Sequence, residues 1–346
     1  MSIGTAENPQ SQHYTELLRV KQPLHCAISF HYSDRMLPVL HASADALLKR
    51  IRRTSFYYQR WNNTLAFSIN NAYGRYAREC AARYAAEHGT MDLPPSPLQE
   101  KGAAYFPRIF PADKARAYSQ TITELLERND SVVERPKESD LAARIRAPLR
   151  TLGTDILDAV RAPAIHDALL RFFRGHYRIE WITCFRTFPA KRVAGSWLWH
   201  SDSFPPHTCK LFLHLTPANV ETGATEFMTL ADTMAYRRAG YFGQFKDERF
   251  ANLEEFAAAH HLPYRPFHFD AEPGDGTLFD MNFFHRAVRP EHAFRDVIQF
   301  YFLPSPIPWE QQYERDVEKL MAVTGNFPKN PRPGASVTAS SQSMMM

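Results

Sequence analysis

The stretch Lys210-Leu-Phe-Leu-His-Leu-Thr216 decides the fold class. Leu211, Leu213 and Leu215 alternate with Lys210, Phe212 and His214, and a period of two puts the leucines on one face of a strand and the mixed set on the other. The same texture continues on both sides of it. Short runs rich in β-branched and aromatic residues begin at Arg178 (RIEWITCFRTF), Gly223 (GATEFM), Gly276 (GTLFDMNFFH) and Arg295 (RDVIQFYFL), separated by proline, glycine and polar turns. Many short strands with regular punctuation predict a sandwich or jelly roll. Residues 231–263 are too long and too charged for a hairpin; they read as an insertion, with a helix at 252–260, that covers a site.

Upstream the periodicity changes to that of helices. Leu40, Leu47, Leu48 and Ile51 have helical spacing, and Tyr73, Tyr76, Ala77, Cys80, Ala81 and Tyr84 repeat it. The segment His88 to Pro97 carries three prolines in four positions and places a lobe boundary near residue 95. Further helices are expected after Phe110-Pro-Ala-Asp113, at about 139–160, at 163–174 and from Trp309. The last stretch has the composition of a disordered tail.

The composition narrows the class. With 41 Lys and Arg against 37 Asp and Glu, the net charge of +4 over 346 residues is too weak to argue for nucleic acid. The four cysteines lie far apart with no CxxC pair, so neither a disulfide framework nor a thiolate zinc site is indicated, and a cytoplasmic protein with reduced thiols is expected. No apolar h-region opens the chain and no uninterrupted apolar stretch is long enough for a membrane span.

Chemistry is concentrated around one segment. In Trp197-Leu-Trp-His200-Ser-Asp202 a histidine and a carboxylate stand two apart, which on an extended chain turns both to the same side. His285, 83 residues beyond Asp202 (285 − 202), completes a 2-His-1-carboxylate set, a ligand pattern that leaves coordination positions open and suits non-haem Fe(II). Ten residues later Arg295 offers a guanidinium that grips a carboxylate with two parallel hydrogen bonds. It is expected on a strand running antiparallel beside the one that bears His285.

With these residues in place, the chain resembles the Fe(II)/2-oxoglutarate-dependent dioxygenases, and among them the phytanoyl-CoA dioxygenase-like family. The resemblance lies in His200-x-Asp202, the strand and glycine turn from Lys210 to Phe227, the Pro273-Gly-Asp-Gly-Thr-Leu-Phe-Asp280 approach to His285, and Arg295. It implies an α+β protein built on a double-stranded β-helix, a cupin-like jelly roll flanked by helices. The resemblance covers about residues 100–305; with the helical spacing, the proline boundary and the composition of the last stretch, the expected organisation is a helical N-terminal extension at 1–95, the dioxygenase domain at 100–325 and a disordered tail at 326–346. The resemblance also implies Fe(II) on His200, Asp202 and His285, with 2-oxoglutarate as cosubstrate bound by Arg295; beside it, Lys210 is expected to add a cofactor contact. The activity implied is hydroxylation of an unactivated C–H bond of a small molecule, with O2 consumed and succinate and CO2 released. Acyl thioesters, lipids and natural-product intermediates all remain candidate substrates. Halogenating relatives replace the carboxylate by a small residue, so Asp202 points to oxidation instead.

Alternatives stand beside several of these assignments. A second HxD, His268-Phe-Asp270, lies only 17 residues before His285 (285 − 268) and reads as an ordinary strand pair. Arg289, in a turn, competes with Arg295. Lys210, Gln299 and Tyr301 are either cofactor contacts or a polar strand face buried for structural reasons, and His207 and His214 lie near the site in sequence. No catalytic dyad surrounds Cys209. Two other functions compete with the dioxygenase: a jelly-roll metalloenzyme that does not use 2-oxoglutarate, and a non-catalytic binding protein with a relic metal site.

Overall fold

The computed structural model describes residues 72–90, 96–135, 141–202, 208–243, 249–250 and 252–322. The helix expected from Pro38, the boundary near residue 95, His207 and the tail lie outside the described residues. Nine strands are described: β1 (Ala103–Phe106), β2 (Val133–Glu134), β3 (Ala142–Ile145), β4 (Tyr177–Thr187), β5 (Cys209–His214), β6 (Thr225–Phe227), β7 (Gly276–Asp280), β8 (His285–Ala287) and β9 (Arg295–Pro304). The longer helices are α1 (Ala72–His88), α2 (Ala112–Glu127), α3 (Pro163–Phe173), α4 (Leu230–Arg238), α5 (Leu253–Ala259) and α6 (Trp309–Ala322). No described helix is long and apolar enough to cross a membrane.

Seven strands form one antiparallel sheet in the order β1-β7-β5-β9-β4-β3-β2, and β6 pairs with β8 in a second. Single bridges extend the smaller sheet on both sides, His200 to His285 and Phe227 to Phe267. From β4 onward the chain therefore passes repeatedly between the two sheets: β4 large, the His200 segment small, β5 large, β6 and the Phe267 segment small, β7 large, β8 small, β9 large. This is a double-stranded β-helix on an α+β scaffold. One expectation is corrected. The strand bearing Arg295 does not lie beside the strand bearing His285; β9 pairs with β4 and β5 in the large sheet, while β8 belongs to the small one.

The alternation read at Lys210 to Thr216 determines how the layers pack. Leu211, Leu213 and Leu215 join Ile298, Phe300 and Phe302 in a core that also takes in Ile122 and Leu125 of α2, Ile165, Leu169 and Phe172 of α3, and Trp309 and Leu320 of α6. Helices thus cover the leucine face of the large sheet. On the other face Phe212 packs with Phe227, Phe279 and Val297, between the two sheets. At the far end, Tyr76 of α1 donates its hydroxyl to the Pro304 carbonyl at 3.3 Å and accepts from the Arg178 guanidinium at 2.9 Å.

Residues 139–160 depart from the helical expectation. Their first part is β3, with Ala143 and Ile145 buried and Ala142 and Arg144 half-buried. Ala147 then takes a left-handed conformation (φ 43°) ahead of Pro148, and only short helical turns follow. A strand of four residues has too few alternations to stand out from a helical pattern.

A buried ion pair ties α2 to the large sheet. Asp296 is fully buried and accepts from Arg186 at 2.8 Å and 2.6 Å and from the Ser119 hydroxyl at 2.6 Å. Burial pushes its carboxyl above the usual range, against the pull of Arg186. Removing one member of such a pair leaves an uncompensated buried charge, so Asp296→Ala is expected to cost about 3 to 5 kcal/mol. The check is the urea midpoint, which should fall with an unchanged slope.

Candidate functional site

The metal-ligand candidates converge because two segments of the small sheet are bridged at the histidines themselves. His200 N–H donates to the His285 carbonyl at 3.0 Å and His285 N–H returns the bond at 2.9 Å. With a period of two, their neighbours Trp199 and Phe284 turn the opposite way, into a separate apolar cluster with Met228, Tyr236, Tyr241, Leu253 and Ala257. The imidazoles face inward, ring centroids 4.3 Å apart. Asp202, held by its N–H on the Met281 carbonyl at 2.9 Å, comes between them: Oδ1 lies 3.9 Å from His200 Nε2 and Oδ2 lies 3.5 Å from His285 Nε2. One ligand atom from each residue lies within 4.8 Å of the other two.

The tautomers suit metal binding. His200 Nδ1 is 2.7 Å from the Leu198 carbonyl and His285 Nδ1 is 2.9 Å from the Phe283 carbonyl. A carbonyl only accepts, so Nδ1 carries a proton in both rings, and Nε2, on the side of Asp202, is the nitrogen placed for a metal. Burial, reinforced by His285 and Arg249, holds His200 well below the usual histidine range, so it is neutral. Burial works the other way on Asp202, yet Lys210 and the two imidazoles outweigh it and hold the carboxyl well below the usual carboxylate range. Two imidazole nitrogens and one carboxylate oxygen are a donor set that suits a divalent iron.

The three residues line a cavity of about 420 Å3 together with Lys210, Phe212, Thr225, Arg295, Gln299 and Tyr301. Lys210 donates to Asp202 Oδ2 at 2.9 Å and sits 4.8 Å from the Tyr301 ring centroid. The sequence assigned Lys210 to the cosubstrate; the structure gives it a direct contact with Asp202, the candidate carboxylate ligand. Gln299 Oε1 accepts from Tyr301 at 2.5 Å and from Thr183 at 3.3 Å, so the polar face of β9 is knitted together from inside.

Arg295 is 2% exposed. One terminal nitrogen donates to the Gly223 carbonyl and to Thr225 Oγ1, while Nε has no hydrogen-bond partner. No ion pair joins Arg295 to a carboxylate among the described residues, and burial alone pulls its pKa down to about 10. A buried guanidinium left with carbonyl and hydroxyl contacts has the chemistry to receive an anion. Arg289 is placed otherwise: half-exposed, bonded to the Lys191 carbonyl at 3.0 Å, paired with Glu291 at 3.6 Å and absent from the cavity lining.

Other candidates fall outside the cavity. His268 and Asp270 pair with each other at 3.4 Å, with the carboxylate largely exposed. His214 is buried beneath the site, bonded to Thr277 at 3.0 Å, and burial with the charge of Arg295 pushes its pKa down to about 3. Cys209 is fully buried, and burial raises its thiol well above the usual value, so no thiolate nucleophile is available there.

The sequence missed much of the wall. Leu141, Ala142 and Arg144, and the turn from Ala194 to Ser196, line the cavity, as do Thr183, Phe185 and Thr187. The last three stand at alternate positions of the β4 run, so the period that flagged β5 was present there too.

The insertion acts differently from a simple cover. Arg249 is its one cavity-lining residue among those described, anchored on the Gly243 carbonyl at 3.2 Å and the Gly195 carbonyl at 3.1 Å. The rest packs behind the ligand strands: Tyr241 donates to the Trp199 carbonyl at 2.6 Å. Gly243 (φ +57°) lies so close that an added Cβ would meet the Trp199 oxygen at 2.8 Å and His200 Cα at 2.9 Å, both backbone atoms that cannot swing aside. Gly243→Ala is therefore expected to displace the His200 segment and weaken metal retention by roughly tenfold or more, with a stability loss of about 1 to 3 kcal/mol. Equilibrium dialysis against Fe(II) under nitrogen, beside a thermal melt, checks both.

No protein-family model matches the chain, and no curated protein matches it in sequence. Among solved structures it is similar to the epimerase SnoN, in complex with Fe3+, alpha ketoglutarate and nogalamycin RO, at 12% identity over 66% of this chain and 84% of that one, with a TM-score of 0.44. The alpha ketoglutarate dependent carbocyclase SnoK overlaps 69% of this chain and 91% of its own at 17% identity, TM-score 0.44. AviO1 from Streptomyces viridochromogenes Tue57 overlaps 61% and 94% at 17% identity, TM-score 0.41.

Proposed function

We propose that this chain is an Fe(II)- and 2-oxoglutarate-dependent oxygenase of the phytanoyl-CoA dioxygenase-like family, acting on a small molecule. One observation carries the reading: a single cavity is lined both by the convergent His200, Asp202 and His285 and by a buried Arg295 that has no carboxylate partner among the described residues. A metal site alone accounts for the first feature. The second has a use only if an anionic cosubstrate enters.

In this reading His200, Asp202 and His285 hold the iron and Lys210 keeps the carboxylate ionised and oriented. Arg295 takes the distal carboxylate of 2-oxoglutarate in a charge-assisted contact, and Thr225 at its side fixes the guanidinium plane. When bound, Fe(II) with 2-oxoglutarate and O2 supplies the oxidation of a C–H bond, with succinate and CO2 as co-products. The protein's own work is orientation and exclusion of water, for which Phe212, Phe185 and Trp197 provide the apolar wall. The substrate meets Arg144, Ala194 to Trp197 and Arg249, the lining residues contributed by segments outside the double-stranded β-helix strands. Described cysteines Cys80, Cys184 and Cys209 are free and buried, which suits a reducing compartment such as the cytoplasm.

The test is succinate release by the purified chain with Fe(II), O2 and 2-oxoglutarate, screened against acyl thioesters, free fatty acids and amino acids. Substrate-dependent succinate is expected. Iron retention without any consumption of 2-oxoglutarate would favour the metalloenzyme that does not use it, and failure to retain a divalent metal would favour the relic site.

A further inference from the structure

A second group of potential ligands stands outside the cavity, where the C-terminal end of α1 meets the first residues leading into β4. Glu87, His88 and His176 each bring one ligand atom within 4.8 Å of the other two. Glu87 Oε2 lies 3.9 Å from His176 Nε2 and 4.0 Å from His88 Nε2. These separations are too long for hydrogen bonds. They exceed by roughly half an ångström the spacing of donors sharing one ion, since bonds of about 2.0 to 2.1 Å at tetrahedral angles put donors roughly 3.4 Å apart, so a small closure of the side chains would bring them onto one ion.

One further observation points at a ligand, and three more show the donors held in place. His176 is 9% exposed, and its Nε2 is buried without a hydrogen-bond partner, a costly state for a ring nitrogen unless something binds it. Glu87 divides its oxygens: Oε1 accepts from Arg83 Nε at 3.0 Å, which turns Oε2 to the imidazoles. The Tyr84 ring packs against both, with centroids 4.5 Å from His88 and 4.8 Å from His176, and restricts their rotation. Gly175, next to His176, packs against α1 closely enough that an added Cβ would lie 3.4 Å from Ala81 Cα and Tyr84 Cβ. The loop and the helix end are already held at contact distance.

We propose that Glu87, His88 and His176 form a second divalent transition-metal site, of Zn(II) type with water in its remaining position, that staples the end of α1 to the start of β4. None of the three lines the cavity. The site is therefore structural: it adds a second tie to the helix already hydrogen-bonded through Tyr76, closing 88 residues (176 − 88) of chain.

The test uses the full chain without an affinity tag, stripped with a chelator and dialysed against Zn(II) alone. In a His200→Ala/His285→Ala background, which removes the cavity ligands, one zinc per chain is expected at micromolar free zinc. Adding His88→Ala or Glu87→Gln, both at exposed positions, should weaken it at least about tenfold. Zinc should slow amide exchange over residues 84–88 in the parent and not in the His88→Ala chain. Absence of zinc from the parent, or unchanged affinity in both added variants, overturns the proposal. If the double-alanine background does not fold, the otherwise wild-type chain serves: its zinc content should fall from two to one on His88→Ala, and an unchanged content overturns it equally.

Discussion

Asp202→Ala is expected to lose iron retention at micromolar Fe(II) and to lower substrate-dependent succinate formation by at least about a hundredfold. Asp202 is the anionic member of the proposed ligand set, and without it only two imidazoles would face a dication. Its removal has a second effect, on stability. Lys210 is 7% exposed and its ammonium is bonded to Asp202 at 2.9 Å, so the truncation strands a buried cation. Breaking such a pair from one side costs about 3 to 5 kcal/mol. The double variant Asp202→Ala/Lys210→Met separates the two effects: the unfolding midpoint should recover most of the loss, because neither charge remains, while iron binding and turnover stay absent. Near wild-type turnover in Asp202→Ala would remove it from the ligand set. His268→Ala, at the other HxD, should leave iron binding unchanged.

Arg295→Lys is expected to raise the KM for 2-oxoglutarate by roughly one to two orders of magnitude, as loss of about 1.5 to 3 kcal/mol of charge-assisted hydrogen bonding would require. Lysine keeps the charge and loses the planar fork. The ammonium also cannot reproduce the guanidinium's simultaneous hold on Gly223 and Thr225. Iron affinity should change little, because Arg295 touches none of the three ligands. Arg289→Lys is the control: its side chain lies on the Lys191 carbonyl and Glu291, and its KM should be that of the parent. An effect confined to Arg289 would move the anchor to the turn, and no effect in either would favour an enzyme without 2-oxoglutarate.

Those two residues illustrate what a sequence can and cannot carry. The pairing of His200 with Asp202 was legible because strand periodicity turns residues two apart to one side; His285 and Arg295 followed from the ligand pattern and the family resemblance, and the double-stranded β-helix from the strand runs and that resemblance. Which sheet each strand joins was not legible. Arg295 enters the same cavity from the large sheet, a relation set by tertiary pairing and invisible in a ten-residue spacing. The contact between Lys210 and Asp202 was missed for a related reason: eight residues separate them, and the bond exists only because the His200 segment and β5 lie in facing sheets. The insertion was seen as a segment, and α5 was placed within a residue or so, but its packing against Trp199 and Phe284 depends on the outward faces of two short runs too brief to show alternation. Residues 142–145 read as helix because four positions cannot distinguish the two periods.

The central claim is that one cavity binds 2-oxoglutarate through iron at one end and Arg295 at the other. Anaerobic titration calorimetry of 2-oxoglutarate into the Fe(II)-loaded chain tests it without need of the substrate. Binding is predicted to require the metal, to vanish in His200→Ala/His285→Ala, and to weaken at least about tenfold in Arg295→Lys. Binding of equal strength with and without iron, or no binding to the loaded chain, would contradict it.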